Sequence, residues 1–291
     1  MWSWFDIIRP LNCALSAFGV IIGAFLVSPV LTPSLLLAAL VVFLLTGAGN
    51  TVNDITDISS DRINRPVRPL PSGRVSKRNA TIFTAVLFVS GILLSLLLNN
   101  VLCFAIALLN TLLLIAYSTH FQNKVILGNV AVAYLGSSVF LFGGAAAGNI
   151  SLSLLLMSLA GLATFAREIV KDLEDLEGDR QSFIKKMAFR VKESFGDRFR
   201  VSRSGIKLRY KTIYAILFAS FSIWLAVVAS VIPYIWGLLS EAYVFLLVPT
   251  DAVLVLSSII LIRKRNYRLV SKLLKAGMYL GMAAFLVGAI L

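Results

Sequence analysis

Carboxylates are scarce in this chain. Of its 291 residues only 14 are Asp or Glu, against 27 Lys and Arg, and charged residues make up 14% of the whole. A hydrophobic content of 58% leaves too little polar surface to clothe a soluble domain of this length. Histidine is scarcer still. His120 is the only one, and at a predicted helix end it reads as structural. The two cysteines, Cys13 and Cys103, are too few for a zinc centre or a disulfide framework. They fall inside predicted spans near opposite membrane faces, so they are not expected to pair. There is no Walker A loop, which leaves a nucleotide without support. The net charge of +13 comes with no soluble nucleic-acid-binding module, so no nucleic acid is expected as a partner.

What the chain has in plenty is long apolar runs. They predict an all-α polytopic membrane protein of about nine transmembrane helices, at 11–28, 33–53, 79–98, 101–118, 126–147, 151–171, 212–236, 242–262 and 270–290. Each is near the roughly 20 residues that cross the hydrocarbon layer. The start, "MWSWFDIIRPLNCAL", is not expected to be a signal peptide, because Asp6 and Arg9 precede the first apolar run.

The basic residues set an orientation. The turns at 28–33, 98–101, 148–151 and 237–242 contain no Lys or Arg, and all 27 lie on the other side. By the positive-inside rule the N-terminus is expected in the cytoplasm and the C-terminus outside. The basic face also suits attraction to anionic membrane lipids. The longer loops, 54–78 and 172–211, are expected to form a cytoplasmic cap on one domain, 1–291. Within the second, "FIKKMAFRVKESF" (183–195) alternates basic and apolar residues in the manner of an interfacial helix.

Against this background the placement of the few acids is informative. Asn50, Asp54, Asp57 and Asp61 follow one another at intervals of 4, 3 and 4. On a helix these lie within about 60° of one another. The same intervals recur in Glu168, Asp172, Asp175 and Asp179. Both sets fall at the same end of like-directed spans, as in a pseudo-repeat. Glu174 and Glu177 point elsewhere, and Gly178 is a candidate helix stop before Asp179. Massed carboxylates repel one another unless something neutralises them. Neighbouring Arg62, Arg65, Arg167 and Lys171 are one source of neutralisation. Hard cations are the other: Mg²⁺ prefers oxygen ligands and commonly shares them with substrate phosphates. Two facing clusters suit a pair of Mg²⁺ ions bridging a diphosphate.

At these residues the sequence resembles the UbiA-type intramembrane prenyltransferases. "NDITDISSD" (53–61) is similar to that family's first aspartate motif and "DLEDLEGD" (172–179) to its second. "RPLN" (9–12), "NRPVRPLPSG" (64–73), "AYS" (116–118) and "GN" (128–129) also resemble it. The likeness covers Arg9 to about Asp179, and the last three spans match in number and hydropathy only. The segment 183–211 is longer and more basic than in the family.

The resemblance implies a Mg²⁺-dependent transferase with a prenyl diphosphate as donor and a mouth facing the cytoplasm. Asp54, Asp57 and Asp61 would hold one Mg²⁺, and Asp172, Asp175 and Asp179 the other. Arg65, Arg68, Arg74, Lys124 and Lys171 would contact phosphate oxygens. Asn12, Asn50 and Asn53 would orient substrate, with pairing across helices as the alternative for Asn12 and Asn50. Tyr117, Phe121 and Tyr134 are candidates to face an allylic cation or simply to pack. Residues 167–179 are most like the branch that adds a geranylgeranyl chain to the free hydroxyl of geranylgeranylglyceryl phosphate. That makes the acceptor a lipid phosphate and Glu168 a candidate base. The alternatives are an aromatic acceptor, as in quinone biosynthesis, and an anion transporter. Asp251, alone within a span two residues after Pro249, has no role in any of these readings.

Overall fold

The computed structural model describes residues 3–121, 125–191 and 204–291, with side chains over 3–121, 126–177 and 212–291. Among the described residues twelve α-helices follow one another. They are α1 (Ser3–Ile8), α2 (Pro10–Phe25), α3 (Pro33–Thr56), α4 (Ile58–Asn64), α5 (Lys77–Leu96), α6 (Val101–Ala116), α7 (Val125–Ala146), α8 (Ser151–Val191), α9 (Ser204–Ser230), α10 (Ile232–Ile235), α11 (Glu241–Arg263) and α12 (Tyr267–Ile290). A π-helical turn, Tyr117–Phe121, extends α6.

Among the described residues eight helical segments are long and apolar enough to cross a membrane. The predicted first span corresponds to α2, a shorter apolar helix of 16 residues. At 1.5 Å per residue it is about 24 Å long, less than the ~30 Å hydrocarbon layer.

Local sequence explains where the helices start. Thr32 caps α3 by accepting from Leu35 N at 3.1 Å, with Pro33 in the first turn where its missing N–H costs nothing. Ser76 caps α5 and Asn266 caps α12 in the same way. Asn100 accepts from Leu102 N and Cys103 N, and its amide donates to Ala145 O at 2.8 Å. That contact fastens the 97–100 turn to the end of α7.

The helix exteriors are apolar. Ile82, Val86, Val89 and Leu93 form an exposed stripe along α5, and Phe221, Phe245 and Val248 are exposed on α9 and α11. Such surfaces belong in lipid. There the hydrophobic effect no longer drives helices together, and close packing has to do it. Backbones pack very closely where α2 crosses α7. A Cβ added at Gly23 would sit 2.0 Å from Phe140 O, and one at Gly143 would sit 2.0 Å from Val20 O. Only glycine permits backbones that close.

Two apolar cores result. One joins α2, α3, α5, α6 and α7 with the near ends of α8, α11 and α12. The other joins the middle of α8 with α9, α11 and α12. A small third cluster, Ile7, Leu70, Val75 and Ala80, seats the 65–76 loop on α1 and the head of α5.

Two expected boundaries are corrected. The run 50–61 is two helices, because the backbone turns out of α geometry at Asp57 (φ −90°, ψ 4°). Hydrogen bonds from Asp57 N to Asn53 O and from Asp61 N to Asp57 O still bridge the join, so the acidic face survives as a slight bend. Gly178 does not end α8, which continues to Val191 because a lone glycine lowers helix propensity without forbidding helix. Residues 183–191 therefore extend α8 instead of starting a separate interfacial helix. The remainder of the expected cap, 192–203, lies outside the described residues.

Candidate active site

One carboxylate on either side of the bend between α3 and α4 is buried. Asp54 is 2% exposed and Asp61 is 6% exposed. Burial at that level requires compensation, and it comes from arginine. Arg68 reaches Asp61 Oδ2 at 2.6 Å and Asp54 Oδ1 at 3.2 Å. Arg9 donates to the same Asp54 oxygen. The neutralising residues are thus neither Arg62 nor Arg65 but two groups brought in by α1–α2 and the 65–76 loop.

Arg9 occupies an unusual position. Its backbone is left-handed (φ 53°, ψ 72°) and Pro10 follows, a combination disfavoured for a residue with a side chain. Hydrogen bonds to its carbonyl from Asn12 N and Cys13 N hold it there. Asn50 fixes the segment from below, donating to Ile8 O at 2.8 Å. The alternative of pairing across helices is therefore what Asn50 does. Asn12 is exposed.

The second cluster lies on α8. Asp172 Oδ2 accepts from the Asn129 amide of α7 at 2.8 Å, and Asp175 is exposed one turn on. Glu168 is paired on both oxygens, to Arg167 at 2.7 Å and Lys171 at 3.5 Å. Glu177 lies within electrostatic reach of Tyr267 at the head of α12, away from this face. Asp179 belongs to α8, and its side chain is outside those described.

The π turn joins the two clusters. Asp57, Glu168 and Asp172 all lie within electrostatic reach of the Tyr117 hydroxyl. Tyr117 packs over Gly128, where a Cβ would stand 3.7 Å from its ring. Next to it Ser118 donates to Asn53 Oδ1 at 2.6 Å, linking α6 to α3. π turns insert one extra residue and are frequent at functional sites. Here the insertion aims Tyr117 between acids from α3–α4 and α8.

The other predicted residues are placed less centrally. Arg65 is exposed. Arg74 is committed to Ser72, Val67 O and Asp6, so it braces the loop. Phe121 closes the π turn, while Tyr134 lines a groove between α7 and α8 with Ser137 and Phe165. Lys124 lies outside the described residues. Arg9, Ser118 and Asn129 are site residues that no sequence argument assigned, although each stands in a motif noted above.

Among the described residues no three acidic, His or Cys side chains converge into a ready-made ion site. The donor chemistry nonetheless fits Mg²⁺. All the side chains are hard oxygen donors, and an ion that takes only one or two carboxylates fills its remaining positions with water and phosphate. The buried pair Asp54–Asp61 is moreover held by arginines, which bind phosphate equally well.

Behind the acids a largely apolar cavity of about 280 Å³ runs between α2, α7, α8, α9, α11 and α12. On α8 it begins at Thr164, eight residues before Asp172, and reaches Leu156. The arrangement is a polar mouth over an apolar chamber.

Residues 16–283 match the model of the UbiA prenyltransferase family. The chain is 37% identical to the digeranylgeranylglyceryl phosphate synthase of Methanococcus aeolicus over 99% of its length and 98% of that protein's. Its fold superposes with a TM-score of 0.83 on a solved digeranylgeranylglyceryl phosphate synthase, at 35% identity over 99% of this chain and 98% of the other. A UbiA homolog from Archaeoglobus fulgidus, bound to GPP and Mg²⁺, shares the fold with a TM-score of 0.64 at 15% identity, over 97% of this chain and 99% of that one.

Proposed function

The chain belongs to the UbiA prenyltransferase family, and on that premise we infer that it transfers a geranylgeranyl group from geranylgeranyl diphosphate to the free hydroxyl of geranylgeranylglyceryl phosphate. The products are digeranylgeranylglyceryl phosphate and diphosphate. The observation that carries this reading is the end-to-end likeness to synthases of that name, at 35–37% identity. The polar mouth over an apolar chamber supports it, because the donor has the same division.

The diphosphate sits at the mouth and the prenyl chain descends into the cavity. Arg9 and Arg68 are placed to exchange a carboxylate partner for a phosphate oxygen as donor arrives. Two Mg²⁺ ions, one at Asp54, Asp57 and Asp61 and one at Asp172, Asp175 and Asp179, would supply Lewis-acid neutralisation of the departing diphosphate. The allylic C1–O bond breaks with its electron pair going to the diphosphate. The acceptor oxygen supplies the pair for the new C1–O ether bond. Its proton leaves to a base, for which Glu168, held by Arg167 and Lys171, is the candidate. Tyr117 presents its ring toward the carbon that bears positive charge. Enclosure by the helices keeps out water, which would otherwise capture that carbon.

We further place the mouth in the cytoplasm and count α2 as a ninth crossing. The distribution of all 27 Lys and Arg supports both, since an eight-span count would put Arg9 opposite the other 26. A transporter would hold its site near the midplane at broken helices; the acids here gather at one end. The test is competition in a purified sample. Geranylgeranylglyceryl phosphate and 4-hydroxybenzoate are offered together with labelled geranylgeranyl diphosphate and Mg²⁺. The ether product is expected to dominate, and prenylation mainly of the aromatic acid would overturn the acceptor.

A further inference from the structure

Asp251 lies on α11, 10 residues from one end and 12 from the other, and lines the apolar cavity. Its surroundings leave it short of partners. The Ser230 hydroxyl, at the end of α9, lies 3.0 Å from Asp251 Oδ2 and 2.7 Å from Val227 O. One hydroxyl proton cannot serve both. Asp251 Oδ1 is buried without any hydrogen-bond partner. The Thr250 hydroxyl beside it is spent on Leu246 O, and the Tyr243 hydroxyl on Ser230 O. Pro249 has not turned Asp251 to backbone duty, because no backbone group contacts its oxygens among the described bonds.

The position of this group matters. Ser230 and Tyr243 sit at the ends of α9 and α11 away from the acidic mouth, and Tyr243 stacks edge-on against Phe285 at 5.2 Å. On α9 the polar patch stands at the far limit of the chamber, at Ser230, and on α11 Asp251 lies between Leu254 on the mouth side and Leu247 and Tyr243 beyond it, so a descending chain meets the patch part-way down the wall. Hydrocarbon pressed against an under-satisfied carboxyl loses the gain of leaving water and shuts the oxygen away from any partner.

We propose that Asp251, with Ser230, is a specificity-determining residue that sets how far the prenyl chain enters, so that a donor longer than geranylgeranyl meets a polar wall. The proposal rests on the prenyltransferase reading and adds chain-length selection to it.

The experiment compares geranylgeranyl diphosphate with the donor one isoprene unit longer, geranylfarnesyl diphosphate. Each is measured for kcat/KM with geranylgeranylglyceryl phosphate and Mg²⁺. Each is also measured for the rise in thermal midpoint it gives without acceptor. Asp251→Leu keeps the branched shape at a larger volume and removes the polarity, and it is expected to raise the longer donor's relative kcat/KM about tenfold. Its relative thermal stabilisation rises with it. Asp251→Asn keeps the polarity and is expected to hold the wild-type ratio. Asp251→Ala set against Asp251→Ser makes the same contrast at smaller volume, and it decides the matter if the leucine variant does not fold. Equal ratios in the apolar and polar variants overturn the proposal. A wild-type protein that yields no ether product but is stabilised according to chain length overturns the acceptor and leaves the wall standing.

Discussion

The Asn129 amide donates to Asp172 Oδ2 at 2.8 Å, and this one bond fixes the second acidic cluster against α7. Asn129 is 7% exposed, so no water stands ready to replace it. A carboxylate that must present its other oxygen to an ion benefits from such an anchor. Asn129→Leu is expected to weaken the apparent Mg²⁺ affinity about 10–100-fold, with KM for the acceptor little changed. A Mg²⁺ titration of the initial rate checks this, and an unchanged midpoint would assign Asn129 to packing.

Asp54→Asn and Asp172→Asn each remove one acid from one side of the mouth. Each is expected to lower turnover by roughly 10²–10³-fold or more, while the protein still inserts and runs as a monodisperse species in detergent. Glu177→Gln is expected to retain most activity, since Glu177 lies toward Tyr267. A loss in Glu177→Gln as deep as in Asp172→Asn would mean that the helix face has been misassigned.

The crossing of α2 and α7 gives a prediction about stability alone. Gly143→Leu drives a side chain into Val20 O, and overpacking of that kind costs about 1–3 kcal/mol or more. Gly136, two turns earlier on the same helix, has its nearest neighbour 3.9 Å from an added Cβ. Gly136→Ala is therefore expected to be neutral or to gain up to about 1 kcal/mol from helix propensity. Thermal unfolding in one detergent separates the two.

Much of this fold is legible in the sequence because long apolar runs have few alternatives to a membrane helix. The expected span at 33–53 became Pro33–Thr56, and 242–262 became Glu241–Arg263. The intervals of 4, 3 and 4 also located Asp54, Asp61 and Asp172 at one mouth. What they left open was the choice between arginine and an ion as neutraliser, because Arg9 is 45 residues from Asp54 and no local pattern pairs them. The π turn was equally hidden. Its extra residue depends on how α6 meets α3 and α7, and "YSTHF" carries no sign of it. Asp251 stood out by type, but its partner Ser230 is on another helix, 21 residues away.

Arg68 offers the sharpest test of how the mouth works. Its side chain is 21% exposed, while those of the carboxylates it spans are 3% and 8% exposed. Without it, Asp61 loses a 2.6 Å bond and Asp54 keeps only Arg9, so two buried acids face each other under-neutralised. Breaking such a pair costs about 3–5 kcal/mol at most, and the partial exposure of Arg68 makes the lower end the expectation. Mg²⁺ can supply the missing charge. Arg68→Ala is therefore expected to unfold at a lower temperature than wild type in EDTA and to recover a large part of the difference in Mg²⁺. Wild type, already neutralised by arginine, should gain less from the ion. If the variant is equally depressed with and without Mg²⁺, then Arg68 braces the loop and takes no part in handing the acids over.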